Sequence, residues 1–319
     1  MGLKDISNIF GRYLIVGFYI PVFFWLAYLK LTAGNGLLPD QVEPESAASF
    51  AVIGVAALVF AFILQGARRP LERVLCGYPI MHLWVGSGSS RLLLGANRIR
   101  ALTCRKTLAC YDDLAGRATP RGPKKPGETD VEYGERRLAE YHLKRRFPNR
   151  REKVMPTKYG NRVRAWEDYA REAWSLETVV IEPHIESLLT PQELGQRQDA
   201  ETDACFAVNG FYLGILIGFI LGIDRALEPP SSLWFIALCL LPFALAWILY
   251  EISVVAAETW GNSVRASIDL HRLELYEKLS TKEPLNQADD RFVGLAINRM
   301  LMYGEPIPDE WRSSSAGGC

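Results

Sequence analysis

Phe206-Ala-Val-Asn-Gly210-Phe-Tyr-Leu-Gly214-Ile-Leu-Ile-Gly218-Phe-Ile-Leu-Gly222-Ile223 decides how this chain is read. It is 18 residues of apolar sequence without a charge, close to the roughly 20 residues that cross a hydrocarbon core at 1.5 Å per residue. Three further runs match it, Tyr13 to Leu31, Ala47 to Leu64 and Leu233 to Val255. Only a bilayer favours four such runs in one chain of 319 residues. The expected fold is therefore mainly α: a four-helix transmembrane protein with a mostly helical cytoplasmic domain, made from the insert between helices 2 and 3 together with the C-terminal tail.

Global composition hides this pattern, because 23% charged residues and a net charge of zero average apolar spans with a very polar insert. Segment by segment, the organisation is an N-terminal transmembrane pair (1–65, with spans 13–31 and 47–64), a basic insert (66–205), a C-terminal pair (206–255, with spans 206–223 and 233–255) and a tail (256–319). The first run is longer than the core of a signal peptide, lacks a small-x-small cleavage site and is followed by three more runs. It is expected to stay in the chain. Ile6 stands where an N-myristoylation pattern wants Ser or Thr, and Cys319 is terminal, so no lipid anchor is read.

Orientation follows from Lys and Arg. The first connection carries Asp40, Glu43 and Glu45 without a basic residue, and the short second one carries Asp224 and Glu228 against Arg225. The insert opens with Arg68, Arg69, Arg73, Arg91, Arg98 and Arg100, so it and both termini are expected on the cytoplasmic side of the membrane. Six cysteines, none in the outer connections, are expected as free thiols. Four separated histidines and the absence of C-x-x-C spacing give no metal or cofactor motif.

The spacing of Gly210, Gly214, Gly218 and Gly222 puts all four on one helical stripe that another helix can approach closely. Packing inside one bundle is the preferred reading, and packing between subunits of an oligomer is the alternative. Asn209 and Glu251 are the polar residues in the spans that are candidates for an intramembrane function, and they are read as a hydrogen bond to a neighbouring helix and as an interfacial carboxylate. In the insert, Ser90 to Asp113 interleaves basic and apolar residues as a surface helix does. Gly116 to Gly127, rich in Pro, Gly and Lys, reads as an exposed loop. Arg68, Arg69, Lys144, Arg145, Arg146, Arg150, Arg151 and Lys153 are candidate contacts for anionic lipid, which attracts each by about 1 kcal/mol near a charged leaflet. One interleaved aromatic, Phe147, and no nucleic-acid module argue against DNA or RNA as partner.

Met155 to Tyr169 is the most distinctive string. Thr157 and Asn161 are candidate caps, and Val163, Trp166, Tyr169, Ala170 and Ala173 mark one apolar face of a helix from Asn161 to Trp174. Glu167 and Asp168 are adjacent, so they point about 100° apart and read as salt-bridge residues rather than a catalytic pair. No proline occurs between Val255 and Tyr276, so the fourth span is expected to continue as a helix with Val264, Ile268, His271 and Leu275 on one side. That side needs a partner, and Trp166, Tyr169 and Leu275 are candidate core residues of the domain.

Pro156-Thr-Lys-Tyr-Gly-Asn161 with Arg164-Ala165 and Glu167-Asp168-Tyr169, Thr178-Val-Val-Ile-Glu-Pro183, Trp260-Gly-Asn-Ser-Val-Arg-Ala-Ser-Ile-Asp-Leu-His-Arg272 and Met302-Tyr-Gly-Glu-Pro306 together resemble a family of uncharacterised bacterial polytopic membrane proteins. Lys158 and Glu182 depart from that pattern, which has Arg and an aromatic there. The resemblance implies membrane placement and an insert-plus-tail module, and no catalysis. Three functions are weighed: a scaffold, sensor or protein-binding module that self-associates; a channel or permeabilising effector packed through the glycine stripe; and an enzyme on lipid or nucleotide. The third lacks G-x-S-x-G, Walker or metal strings.

Overall fold

The computed structural model describes residues 11–32, 47–78, 104–118, 124, 127–227 and 233–312, with the side chains of 47–49, 225–227 and 233–235 left aside. Among these residues the structure is helical, and the one β feature is an isolated bridge between Thr281 and Arg312. A π-helical turn, Ile15–Tyr19, leads into α1 (Ile20–Thr32). The order continues with α2 (Ala47–Cys76), α3 (Arg105–Ala118), α4 (Asp130–Arg146), α5 (Lys158–Glu167), α6 (Tyr169–Trp174), α7 (Thr178–Glu186), α8 (Pro191–Leu227), α9 (Leu233–Lys278) and α10 (Gln287–Tyr303).

Four helical stretches are long and apolar enough to cross a membrane: Gly11–Thr32, Phe50–Cys76, Pro191–Asp224 and Ile236–Lys278. They carry large apolar side chains outward, such as Val52, Phe62, Phe219 and Trp247, the last 64% exposed. Water penalises that arrangement and lipid does not. Two of these helices far outrun a hydrocarbon core. α9 has 46 residues, about 69 Å at 1.5 Å each, and only Pro242 interrupts its hydrogen-bonding potential.

The chain divides into two compact units, Met1–Glu72 with Gln198–Ala257, and Arg73–Arg197 with Glu258–Cys319. In the first unit Trp25 packs with Ile217 and Leu221, and Phe18 with Leu14, Ala61 and Cys205. Gly210, Gly214 and Gly218 lie against side chains of this same unit. A Cβ added at each would stand 2.8 Å from Leu249, 2.9 Å from Trp25 and 2.7 Å from the Phe243 ring, whereas at Gly222 it would meet nothing within 4 Å.

The second unit is built around Trp166, Ala170, Leu176, Ile181, Ile185, Val264, Ile268, Leu275, Tyr276, Val293 and Ile297. Insert, tail and the end of α9 thus share one core. Close approach is permitted by glycine: a Cβ at Gly261 would stand 2.5 Å from the Trp166 ring, and one at Gly294 would collide with the Trp174 carbonyl. A smaller core of Tyr111, Phe147 and Val154 seats α3 on α4. Thr129 starts α4 with a capping box to Glu132.

Two expectations about helices change here. The predicted helix from Asn161 to Trp174 is two, α5 and α6, divided at Asp168, and Thr157 begins the first of them three residues earlier. Asp168 stands between them, its 3%-exposed carboxylate held 2.8 Å from Lys153, and Ser175 ends α6 in the left-handed region at φ 57°. The helix expected over Ser90 to Asp113 begins at Arg105 and runs on to Ala118, with 90–103 outside the described residues. Most of the loop expected at Gly116 to Gly127 also lies outside them.

Candidate binding cleft

The string at 155–161 is a clasp rather than a chemical centre. Thr157 caps α5 by accepting from the Gly160 N–H at 2.9 Å, and its hydroxyl donates to the Leu75 carbonyl at 2.7 Å. Asn161 is not the cap. Buried to 1% exposure, it accepts from Met155 N–H at 2.8 Å and donates to the carbonyls of Met155 and Thr157 at 2.9 and 2.8 Å. Glycine is required at 160 because a Cβ there would run into the Cys76 carbonyl and stand 2.9 Å from the Cys76 Cα.

A chain of polar groups then runs along α9. Tyr169 donates its hydroxyl to Asp269 Oδ2 at 2.7 Å, and Trp174 Nε1 donates to Oδ1 at 2.9 Å. The Arg272 guanidinium lies 3.8 Å over the Trp174 ring and donates to Asp290 at 3.1 Å, while Tyr276 donates to the other Asp290 oxygen at 2.8 Å. Burial and the bond to Asp269 raise the Tyr169 hydroxyl well above its usual pKa. It therefore acts as a donor throughout the physiological range.

Beside this chain lies a cleft of about 890 Å³, walled by α4 through Tyr141, Lys144 and Arg145 and by α9 through Asn262, Arg265 and Asp269. Its size falls within the range of small-molecule sites. Arg265 stacks 5.4 Å over the Tyr169 ring, and Arg145 stacks 4.6 Å over Tyr141. Asn262 Oδ1 and Arg265 Nε are buried without a hydrogen-bond partner in the protein. Glu172, also on the cleft, has its carboxyl pushed up by burial.

The candidate lipid contacts scatter. Arg68 pairs with Glu72 at 2.8 Å and Glu201 at 2.6 Å and contacts Tyr13. Arg151 grips Asp112 with two bonds of 2.8 and 2.9 Å, which lowers the pKa of that carboxylate through the hydrogen bonds. Lys153 holds Asp168, and the Arg146 carbonyl accepts from Arg162 at 2.9 Å. Arg69 and Arg150 are exposed. Lys144 and Arg145 come together at the cleft. Of the candidate core residues, Trp166 and Leu275 belong to the main core, and half-buried Tyr169 serves the cleft.

No family model matches the sequence, and neither a curated protein nor a solved structure does. The cleft residues Asn262, Arg265 and Asp269 were not singled out from sequence. A signal was present: they recur at three and four residues, on a stripe of α9 about 110° around the helix from Val264, Ile268 and Leu275. His271 is held between Glu193 and Glu274, 3.3 Å from each.

Proposed function

We propose that the chain is an integral protein of the bacterial cytoplasmic membrane, related to the family it resembles. Its insert and tail form a cytoplasmic helical domain that serves as a scaffold, sensor or protein-binding module and that self-associates. Sensing has the strongest support, and the observation that carries it is the 890 Å³ cleft whose wall is the same helix, α9, that supplies the fourth apolar span. A ligand that prefers one arrangement of that wall shifts the helix population by its differential affinity.

The basic insert and acidic outer connections support a cytoplasmic placement. The exposed thiol of Cys110 offers a direct test of it. In a Cys319→Ser background, a membrane-impermeant maleimide should label Cys110 in inverted vesicles and not in intact cells; labelling in intact cells would reverse the orientation. The channel reading draws less support, since three of the four glycines already meet side chains of their own chain. Mass in detergent and ion flux in proteoliposomes separate the two. A small oligomer without flux is expected, and a ring-sized oligomer that conducts would replace the module with a pore.

A further inference from the structure

We infer that the cleft between α4 and α9 is an oxyanion site, in which Arg145 and Arg265 together bind the phosphate group of a small organic molecule. The inference rests on the binding-module reading and names its ligand class.

The argument is one of guanidinium donors that no carboxylate grips. Glu140 is engaged by Arg137 at 2.8 Å and Lys144 at 2.7 Å. Asp269 is occupied by Tyr169 and Trp174, both donors. Arg291 donates to the carbonyls of Glu172 and Ala173 at 3.0 and 3.3 Å, at the end of α6, where the helix dipole favours a cation. Arg145 and Arg265 remain, and neither forms an ion pair among the described residues. Their partners are tyrosine rings, the Tyr141 hydroxyl and, for Arg265, the Lys144 carbonyl at 3.3 Å.

These two guanidiniums come from different helices and both line the cleft, where burial and then the like charge of Arg145 lower the Arg265 pKa. Glu258, already paired with Arg162 at 3.0 Å, and Asp269 offset that repulsion only through space and grip neither fork, so an anion between the two guanidiniums relieves it and satisfies their donors. Guanidinium groups suit phosphate because their planar fork gives two parallel, charge-assisted hydrogen bonds. Stacking on Tyr141 and Tyr169 orients both forks before binding, which limits the side-chain entropy lost on binding. Asn262, one turn before Arg265 on the same face, brings a polar group without a partner. The volume exceeds that of a bare phosphate, so the oxyanion is carried by a larger molecule. A soluble phosphate ester and a lipid headgroup share this chemistry.

The test uses the full-length protein in detergent, with thermal unfolding followed by its eight tryptophans. The soluble probes are pyrophosphate and ADP; the lipid probe is a phosphatidylcholine nanodisc with or without phosphatidylglycerol. A saturable rise in midpoint is expected from at least one arm. Arg145→Gln and Arg265→Gln should each weaken the apparent affinity about tenfold or more. Ala266→Trp should abolish binding by filling the cleft, and Arg299→Gln, at an exposed site away from it, should change nothing. A shift confined to phosphatidylglycerol discs and lost in the same variants assigns the phosphate to lipid. No saturable shift in either arm, or variants that respond as the parent does, would overturn the site. Arg145 is half-exposed and outside both apolar cores, so its variant keeps the test open if Arg265→Gln fails to fold. Ion flux would defeat the module reading on its own, whereas a missing shift removes only the anion site.

Discussion

Asn209 donates its side-chain amide to the Gly17 carbonyl at 2.8 Å, and Gly17 lies at the centre of the π-helical turn Ile15–Tyr19. A π turn widens the hydrogen-bond ladder and leaves a carbonyl to be satisfied from outside. In an apolar span no water can supply that partner, so a second helix does. Asn209→Leu should lower stability by about 1 kcal/mol, the scale of interhelical hydrogen bonds in membranes. The check is the thermal midpoint in detergent; an unchanged midpoint would mean that the bond contributes nothing net.

Asn161 satisfies three backbone groups from one fully buried position. Asn161→Ala leaves all three without a side-chain partner and opens a small void, for a loss of roughly 2–4 kcal/mol. Chemical denaturation monitored by tryptophan fluorescence would measure it. If the loss were no larger than for an exposed asparagine, the clasp would have no structural weight.

Gly218 and Gly222 share a stripe but not an environment. Gly218→Leu should clash with Phe243 and cost about 1–3 kcal/mol, the range for overpacking, with the oligomeric mass unchanged. Gly222→Leu meets nothing within its own chain and should leave stability intact. A fall in mass with Gly222→Leu would assign that glycine to a contact between copies.

Glu167 pairs with Arg164 at 3.0 Å, yet burial raises its pKa above the ordinary 4.5. The folded state therefore holds its proton to higher pH than the unfolded chain does. Its contribution to stability is complete below pH 4.5 and is lost as pH rises through the folded value. The midpoint difference, Glu167→Gln minus parent, should accordingly become more positive between pH 4 and neutrality. A difference that is flat or falls with pH would contradict the shift.

Much of the architecture is legible in local sequence because a bilayer imposes a local rule. A helix satisfies its own backbone, so about 20 apolar residues identify a span without knowledge of its neighbours. The four apolar runs, the continuation of the fourth into a long proline-free helix and the apolar stripe Val264, Ile268, Leu275 could all be read this way. The break at Asp168 could not. Nothing within α5 or α6 forbids one continuous helix, and the buried Asp168 at the division is held by Lys153, fifteen residues away.

The cleft shows the same limit more sharply. Arg145 and Arg265 are 120 residues apart in sequence, and nothing in either local string couples one to the other. Six of the eight basic residues read from sequence as lipid contacts belong to the run 144–153, yet Arg151 and Lys153 are held by Asp112 and Asp168, and Lys144 and Arg145 stand at the cleft. Sequence by itself determined the helical class and the apolar spans, since hydrophobicity and periodicity act over neighbouring residues. Tertiary structure alone decided which charges are matched and which face a cavity, because Coulomb energy depends on distance in space and not on separation along the chain.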